Sequence, residues 1–320
     1  MTKNLLQVKN LTVSTGSEAG KINIVDNISF DIRRGETFVL LGESGSGKSI
    51  TALSIMRLLP SAIKINAGEV ILNDINLFQL PENKMRGVRG ANIGMIFQEP
   101  QTSLNPVLTA GQQISETLHQ HTNLSNNQCI THSIELLDAV GIPEPERRIN
   151  EYPHQFSGGM KQRIMIAIAL AGEPDLLIAD EPTTALDVTI QAQVLELLRK
   201  LQRETDMSIL FITHDIGVAS QMADHIAVMK DGSIVETKNK EDLFSNPEHE
   251  YTLKLFSAIP SWEKREKEGG IEKINRIDDK RLLKVKNLKV HYPIRKGIFK
   301  RTVGYVRAVD DVTVDLYAGE

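Results

Sequence analysis

The sequence predicts an α/β fold with a mostly parallel core sheet, an antiparallel β subdomain at the N-terminal end and a helical subdomain. Apolar strands that end in polar residues alternate with helical stretches, as in "LLIADE" (176–181) and "SILFITHD" (208–215). Residues 5–41 show the alternation and the valine and isoleucine enrichment of short strands. Residues 100–170 carry few strand signals, which places the helical subdomain there. Apolar strands separated by helices are typical of a parallel sheet covered on both faces.

Bulk properties exclude several classes of protein. The chain has 320 residues and 41% hydrophobic residues, enough for two domains with real cores. The net charge of −4 gives no overall basic field, so we expect no nucleic-acid partner. The single cysteine, Cys129, excludes an intramolecular disulfide. The N-terminus has no signal-peptide pattern, and the apolar run 164–171 is shorter than the roughly 20 residues of a membrane-spanning helix. Any membrane role is therefore expected to need a partner.

A glycine-rich loop, "GESGSGKS" (Gly42–Ser49), lies between an apolar strand and an amphipathic helix. We call it the phosphate loop. Glycines let backbone amides approach a polyphosphate closely, and the helix that follows presents its positive end. The pattern predicts that Lys48 contacts the outer phosphates and that the Ser49 hydroxyl ligates Mg²⁺. The alternative is a simple glycine-rich turn. The predicted ATP-binding residues here are Gly42, Glu43, Ser44, Gly45, Ser46, Gly47, Lys48, Ser49 and Ile50.

Two acids, Asp180 and Glu181, end an apolar strand. We expect Asp180 to hold Mg²⁺ and Glu181 to act as the general base toward an attacking water. The alternative is a solvated pair of acids at the end of a strand.

A second glycine-containing turn, "FSGGM" (156–160), opens the helix that begins "MKQR". Ser157 at the helix start is typical of an N-cap, which is the simpler interpretation. Because an N-cap does not need two glycines, Ser157, Gly158, Gly159 and Met160 also predict a second anion-binding surface.

Together these segments resemble the motifs of ATP-binding-cassette (ABC) ATPases. The phosphate loop resembles the Walker A motif, and "LLIADE" resembles Walker B. "FSGGM" resembles the signature motif, usually LSGGQ, with Phe156 and Met160 as departures. Gln98 in "MIFQEP" matches the Q-loop, "TALD" (184–187) the D-loop, and His214 in "ITHD" the switch histidine.

The resemblance implies two cassettes stacked head to tail, with ATP clamped between the Walker A loop of one and the signature of the other. It assigns catalytic roles to Glu181, His214 and Gln98, metal contacts to Ser49, Gln98 and Asp180, and a nucleotide contact to Asp187. For His214 the alternative is a polar residue at a strand end. Family members usually stack adenine on an aromatic residue, and none lies between Val13 and Ile28.

An internal repeat follows a charged segment. Residues 282–288, "LLKVKNL", repeat "LLQVKNL" at 5–11 with one change, and residues 308–320 align with 24–36. Between them, 13 of the 19 residues at 263–281 are charged, which is typical of an exposed linker. We therefore predict a complete ABC ATPase domain at 1–260, a linker at 261–281 and the incomplete start of a second such domain at 282–320.

Several segments, including "DEPTTALDVTIQAQ" and "NPEHEYTLKLFSAIP", resemble the peptide and nickel importer branch of the family. The tandem arrangement is similar to the fused ATPases of glutathione importers or of microcin C-type peptide importers. This resemblance implies ATP and Mg²⁺ as cofactors. It also implies transmembrane permease subunits, a second ABC ATPase domain and, indirectly, a solute-binding protein as partners. We expect a peripheral protein on the cytoplasmic face of the inner membrane.

Two alternatives to a transport ATPase stay open from the sequence. One is a non-catalytic truncated remnant of a tandem ABC ATPase, which binds ATP without useful turnover. The other is a non-transport ABC ATPase that acts in DNA repair or on the ribosome, although the chain shows no sustained heptads and no basic block.

Overall fold

The chain divides into two folded units, residues 1–258 and 259–320. We analysed a computed structural model of the protein. The structure describes residues 4–16, 20–184, 186–257, 278–296 and 301–318.

A six-stranded sheet forms the centre of the first unit. In spatial order the strands are β10 (Ser233–Asn239), β9 (His225–Lys230), β3 (Thr37–Leu41), β8 (Ser208–Thr213), β7 (Leu176–Asp180) and β6 (Ile93–Ile96). All neighbouring strands from β9 to β6 pair in parallel, and only the edge strand β10 is antiparallel to its neighbour. The predicted mostly parallel sheet is therefore confirmed.

The central strands are buried on both faces. Every residue of β3, β7 and β8 is buried, which explains why these segments are continuously apolar rather than alternating. Successive side chains enter two different hydrophobic clusters: Phe38 and Leu40 pack on one side of the sheet, and Val39 and Leu41 on the other. The sheet is thus the shared wall of two cores.

An antiparallel sheet of four strands covers one of these faces. It contains the N-terminal strands, as the sequence predicts, and its inward side chains share a cluster with Ala52 and Ile55 of the helix that follows the phosphate loop. In spatial order the strands are β2 (Ile22–Arg33), β1 (Asn4–Thr15), β4 (Ile63–Leu72) and β5 (Ile75–Asn76).

Helices occupy the rest of the unit, and those between residues 100 and 170 form the predicted helical subdomain. The helices are α1 (Lys48–Ile55), α2 (Glu82–Ala91), α3 (Pro100–Ser103), α4 (Ala110–His121), α5 (Asn126–Ala139), α6 (Pro145–Arg148), α7 (Gly158–Leu170), α8 (Val188–Thr205), α9 (Ile216–Met222), α10 (Lys240–Ser245) and α11 (Glu250–Ser257). Short 3₁₀ turns lie at Leu77–Gln79 and Pro153–Gln155. The buried faces of α4, α5 and α7 share the second cluster with Val39 and Leu41.

A tight hairpin joins β9 to β10, as the Asp-Gly pair predicts. Asp231 and Gly232 both have positive φ angles, 46° and 83°, which is typical of a type I′ turn. The Gly232 amide donates to the Ser46 carbonyl at 3.1 Å, and the Gly232 carbonyl accepts from the Asp26 amide at 2.8 Å. The turn is therefore joined by backbone hydrogen bonds to the phosphate loop and to β2.

The carboxylate of Glu236 on β10 holds the start of α11. Its two oxygens accept the backbone amides of Glu248 and His249 at 2.9 and 3.0 Å, and Lys238 Nζ lies 3.2 Å away. Burial by itself would raise the pKa of Glu236. The two backbone amides and the Lys238 ammonium group outweigh burial and lower the pKa of Glu236 to about 2.

The described part of the second unit is one antiparallel hairpin, β11 (Asp278–Lys296) and β12 (Arg301–Ala318). Its register reproduces that of β1 and β2. Leu6 pairs with Ile32, Val8 with Phe30 and Leu11 with Ile28 in the first hairpin. The aligned residues pair in the second: Leu283 with Leu316, Val285 with Val314 and Leu288 with Val312.

The irregularities of the two hairpins also match. Asn10 and Asn287 each have a φ of 49°. Asn10 Nδ2 donates to Asn27 Oδ1 at 3.0 Å, and Asn287 Nδ2 donates to Asp311 Oδ1 at 2.9 Å. The same bulge is therefore built twice from equivalent side chains. The predicted linker lies outside the described residues as far as 277, and its last four residues already belong to β11.

No helix among the residues that the structure describes is long and apolar enough to cross a membrane.

We predict that Glu236→Gln destabilises the first unit by about 1–3 kcal/mol at pH 7. Because folding lowers the pKa of Glu236, its stabilising effect is complete above the unfolded pKa of about 4.3 and is lost as the pH falls toward 2. Denaturant unfolding of the unmodified chain and of Glu236→Gln between pH 7 and pH 3 measures the difference between their free energies of unfolding. This difference should become smaller as the pH falls.

Glu248→Gln is the matched control, because Glu248 contacts the same Lys238 at 2.8 Å but its side chain is 69% exposed. It should change the free energy of unfolding by less than about 0.5 kcal/mol. Equal stability of Glu236→Gln and the unmodified chain at pH 7 would contradict the role assigned to the Glu236 carboxylate.

Candidate functional site

Four neighbouring parallel strands end at one edge of the central sheet, and predicted site residues follow each of them. β3 runs into the phosphate loop and β6 ends two residues before Gln98. Asp180 is the last residue of β7, and His214 directly follows β8. The carboxyl ends of parallel strands are where open α/β sheets bind ligands.

The phosphate loop requires glycine at positions 42 and 47 for steric reasons. A Cβ on Gly42 would lie 2.2 Å from the carbonyl oxygen of Met229, so only glycine lets the loop approach β9 this closely. Gly47 has a φ of +102°, and a Cβ there would lie 2.7 Å from the carbonyl oxygen of Ile24. The loop is therefore folded tightly against β2 and β9.

Lys48 points back into this loop. Its ammonium group donates to the carbonyl oxygens of Gly42 and Glu43, both at 2.8 Å. Burial lowers the pKa of Lys48, and the nearby carboxylates of Glu181 and Asp180 oppose that shift. The ammonium group is thus a partly desolvated cation held by two backbone carbonyl oxygens of the loop.

Ser49 and Asp180 meet at the mouth of the loop, where Ser49 Oγ donates to Asp180 Oδ1 at 2.9 Å. Burial raises the pKa of Asp180, while the hydrogen bond from Ser49 lowers it. A hydroxyl and one carboxylate suit Mg²⁺, which keeps several waters and takes its other ligands from phosphates. The described residues contain no cluster of three or more His, Cys, Asp or Glu that would form an all-protein cage.

Three side chains hold the Glu181 carboxylate. Gln98 Nε2 and Thr184 Oγ1 donate to Glu181 Oε2 at 3.1 and 2.9 Å, and His214 Nδ1 lies 3.2 Å from Glu181 Oε1. Glu181 has a φ of 45°, an uncommon conformation for a residue other than glycine and one found at functional sites. The side chain is therefore fixed by several groups from different strands.

Gln98 and Glu181, together with residues of the phosphate loop, line a cavity of about 190 Å³. It is open on one side and is lined by the Lys48 ammonium group, the Glu181 carboxylate and the Ser49 hydroxyl, which itself contacts Asp180, so it suits a polyphosphate with a divalent cation. The lining residues are Ile24, Ser44, Gly45, Gly47, Lys48, Ser49, Ile50, Gln98 and Glu181.

The signature residues lie elsewhere and do not line this cavity. Ser157 is the N-cap of α7, since its hydroxyl accepts a hydrogen bond from the Met160 amide at 3.3 Å. The N-cap interpretation of Ser157 is therefore correct, and it leaves a second role in anion binding open. A Cβ on Gly159 would lie 2.8 Å from Ile190 Cγ2, whereas a Cβ on Gly158 would meet nothing within 4 Å. The packing of this chain thus explains Gly159 but not Gly158.

Asp187 caps α8 next to the signature, with its carboxylate accepting the Ile190 amide at 2.9 Å. Since Ile190 also touches Gly159, Asp187 and the signature belong to one surface that is separate from the cavity.

The structure rejects one alternative and adds residues that the sequence did not single out. Asp180 and Glu181 are only 6% and 7% exposed, so they are not a solvated pair. Ile24 lines the cavity and Thr184 bonds Glu181. Neither was predicted as a site residue, although Thr184 is part of the quoted "TALD".

A larger cavity of about 490 Å³ lies next to Asp175 and Met207, at the opposite ends of β7 and β8. None of the predicted site residues lines it, so its size alone does not make it the functional site.

Comparison with known families agrees with this geometry. The profile of the family described as "ABC transporter" matches residues 25–184, which is half of the chain. The chain belongs to the ABC transporter family.

The curated relatives are bacterial ATP-binding proteins named for import or transport. "Glutathione import ATP-binding protein GsiA" of Escherichia coli is 44% identical over 341 residues, covering 99% of this chain and 55% of that protein. "Peptidoglycan transport ATP-binding protein YejF" of Agrobacterium fabrum is 46% identical over 320 residues, covering 100% of this chain and 57% of that protein. The chain therefore spans about half the length of the curated relatives it matches.

Solved structures share the fold. The ATP-binding cassette MJ0796, in a dimeric post-hydrolysis state bound to ADP and Pi, is 32% identical with a TM-score of 0.66, covering 73% of this chain and 98% of that one. CbiO1 from Clostridium perfringens, part of the ABC transporter complex cbiONQ, is 27% identical with a TM-score of 0.65, covering 80% and 96%. The predicted ABC ATPase fold is thus confirmed.

Proposed function

We propose that this chain is the ATP-hydrolysing subunit of an ABC importer that takes up peptides or glutathione across the inner membrane. The observation that carries the proposal is the meeting of Lys48, the Ser49–Asp180 pair and the fixed Glu181 carboxylate around one cavity. Binding and hydrolysis of a nucleoside triphosphate need these three groups.

In the proposed binding mode, ATP phosphates accept hydrogen bonds from backbone amides of residues 44–50 around the N-terminus of α1. The Lys48 ammonium exchanges its two carbonyl partners for phosphate oxygens. Ser49 and Asp180 hold Mg²⁺, and Gln98 adds its amide oxygen, because its Nε2 already donates to Glu181. Mg²⁺ bound by these residues would offset the negative charge of the phosphates.

For hydrolysis, a water attacks the γ-phosphorus and its proton passes to Glu181 as ADP leaves. The contacts from Gln98 and Thr184 orient this carboxylate. His214 contacts Glu181 through Nδ1, so Nε2 is the ring nitrogen available to face a γ-phosphate oxygen, and the side chain is half exposed.

A second cassette completes the site in this proposal. Gly158 is open to contact, and Val188, directly after Asp187, is an apolar side chain with 84% exposure. Such a surface suits another copy of the cassette, whose phosphate loop would receive Ser157, Gly158 and Gly159. The related MJ0796 cassette is dimeric in its post-hydrolysis state, which supports this arrangement.

The proposed permease contact lies on the helical subdomain. Phe97 beside Gln98, Val107 and Tyr152 are exposed by 38%, 74% and 40%. The Ala110 amide donates to the Glu151 carbonyl at 3.0 Å, which joins the segment after Gln98 to the one that holds Tyr152. A permease docked here would place the chain on the cytoplasmic face of the membrane. A solute-binding protein would act only through that permease.

The solute class rests on the names of relatives, one a glutathione importer and one a peptidoglycan transport protein. Both names refer to compounds with peptide bonds, so we propose peptides or glutathione as cargo.

We also propose that residues 282–320 begin a second cassette, after a first that ends near residue 260. The matching register and bulge of the two hairpins support this. Leu11 is fully buried beneath the first cassette's antiparallel sheet, whereas its equivalent Leu288 is 44% exposed. Further strands of a second cassette would cover it.

We predict that Glu181→Gln lowers ATP hydrolysis at least about 100-fold, because the general base is lost while the phosphate contacts stay. Bound Mg-ATP should then accumulate and trap a dimer. Steady-state phosphate release and gel filtration with Mg-ATP measure the two effects. In cells that depend on this gene, the same substitution should abolish uptake of labelled glutathione or a labelled oligopeptide.

Lys48→Ala is the control, since it should lose both nucleotide binding and the dimer. Hydrolysis by Glu181→Gln at the rate of the unmodified protein would refute the catalytic assignment. An unmodified chain that binds ATP but never hydrolyses it would favour the remnant, and active hydrolysis without any change in uptake would favour a non-transport ATPase.

For the second-cassette proposal, we predict that residues 281–317 can replace residues 4–33 in the first unit. The aligned apolar residues should then fill the same cluster, and the chimera should fold and bind Mg-ATP. Thermal unfolding and nucleotide binding measure the outcome. The same graft with Leu288→Asp should not fold, because it buries a charge. A chimera as unstable as this control would contradict the equivalence.

A further inference from the structure

We propose that Tyr251 on α11 is a positioning residue for the phosphate loop. The Glu43 amide donates to Tyr251 Oη at 3.3 Å, although Tyr251 does not line the nucleotide cavity. The two residues are 208 positions apart, so the contact depends on the tertiary fold alone.

The contact matters because of which peptide it holds. The Gly42 carbonyl and the Glu43 amide belong to one planar trans peptide, and they point in opposite directions. The carbonyl end accepts Lys48 Nζ at 2.8 Å, and the amide end donates to Tyr251. The tyrosine hydroxyl therefore fixes the rotation of the peptide that holds the Lys48 ammonium.

Tyr251 is itself held firmly. It is 8% exposed, and Lys230 Nζ lies 5.2 Å from its ring centroid, a cation–π distance. Its helix begins directly after Glu248 and His249, whose backbone amides donate hydrogen bonds to the Glu236 carboxylate. The neighbouring Thr252 is completely buried. Glu43 is an exposed residue of the phosphate loop. The Tyr251 hydroxyl gives the amide of this residue a fixed hydrogen-bond acceptor.

The contact between Tyr251 and Glu43 affects nucleotide binding rather than nucleotide hydrolysis. A peptide held at its amide end keeps the start of the loop in place when Lys48 leaves the Gly42 carbonyl for a phosphate. Tyr251 makes no contact with Glu181, so the proton-transfer step does not depend on it. The inference rests on the proposed function for the identity of the ligand, whereas the contact between Glu43 and Tyr251 belongs to the fold itself.

Tyr251→Phe tests the proposal, since it removes the hydroxyl and keeps the ring beneath Lys230. In the nucleotide-free chain, the Glu43 amide should exchange its hydrogen at least about 5-fold faster, because it loses its acceptor. The Kd for Mg-ATP should rise about 2- to 10-fold. The kcat should stay within about 2-fold, so the effect appears in KM. Amide exchange by NMR, calorimetric titration and steady-state kinetics give these values.

Lys254→Ala is the control on the same helix, because its side chain is 72% exposed and, among the described residues, pairs with Glu250 on the helix surface. It should leave all three values unchanged. Unchanged Glu43 exchange and Kd in Tyr251→Phe would overturn the proposal. Faster exchange throughout α11 would also overturn it, since Tyr251 would then serve the helix and not the loop. If the unmodified chain fails to bind ATP, the proposed function fails, and Glu43 exchange still decides the role of Tyr251.

Discussion

A buried ammonium group inside a loop of backbone is the constraint on which the nucleotide site depends. Lys48 is 4% exposed, and burial lowers its pKa while Glu181 and Asp180 favour its charge. Two carbonyl oxygens, those of Gly42 and Glu43, accept hydrogen bonds from it. A polyphosphate offers the same cation stronger, charged acceptors, so the loop is arranged to exchange one set of partners for another.

The parallel sheet is what brings the other groups to this cation. Because four adjacent strands end at one edge, Gln98, Asp180 and His214 reach the phosphate loop from neighbouring positions despite their distance in sequence. Their strands are buried on both faces and cannot shift without opening two cores. Glu181 is consequently held in an uncommon backbone conformation by groups from several strands.

Much of this arrangement could be predicted from the sequence, for identifiable reasons. Strands that end in polar residues and a glycine loop before a helix are local patterns, so the sheet, the phosphate loop and the Asp180–Glu181 pair could be predicted. The contact of Tyr251 with Glu43 could not, because it depends on how two segments 208 positions apart pack together. The contact of Thr184 with Glu181 is local, but it depends on the turn that follows β7, where Glu181 has a φ of 45°. The repeat predicted the start of a second domain at 282–320, but only the structure shows a hairpin there with the register and bulge of the first.

The most direct test of the account is equilibrium binding of Mg-ATP to the unmodified chain and to Lys48→Ala, measured by calorimetry in the same buffer. The account predicts binding by the unmodified chain and a loss of affinity of about 10- to 100-fold on removal of the ammonium group. Failure of the unmodified chain to bind, or equal affinity of the two proteins, would contradict it.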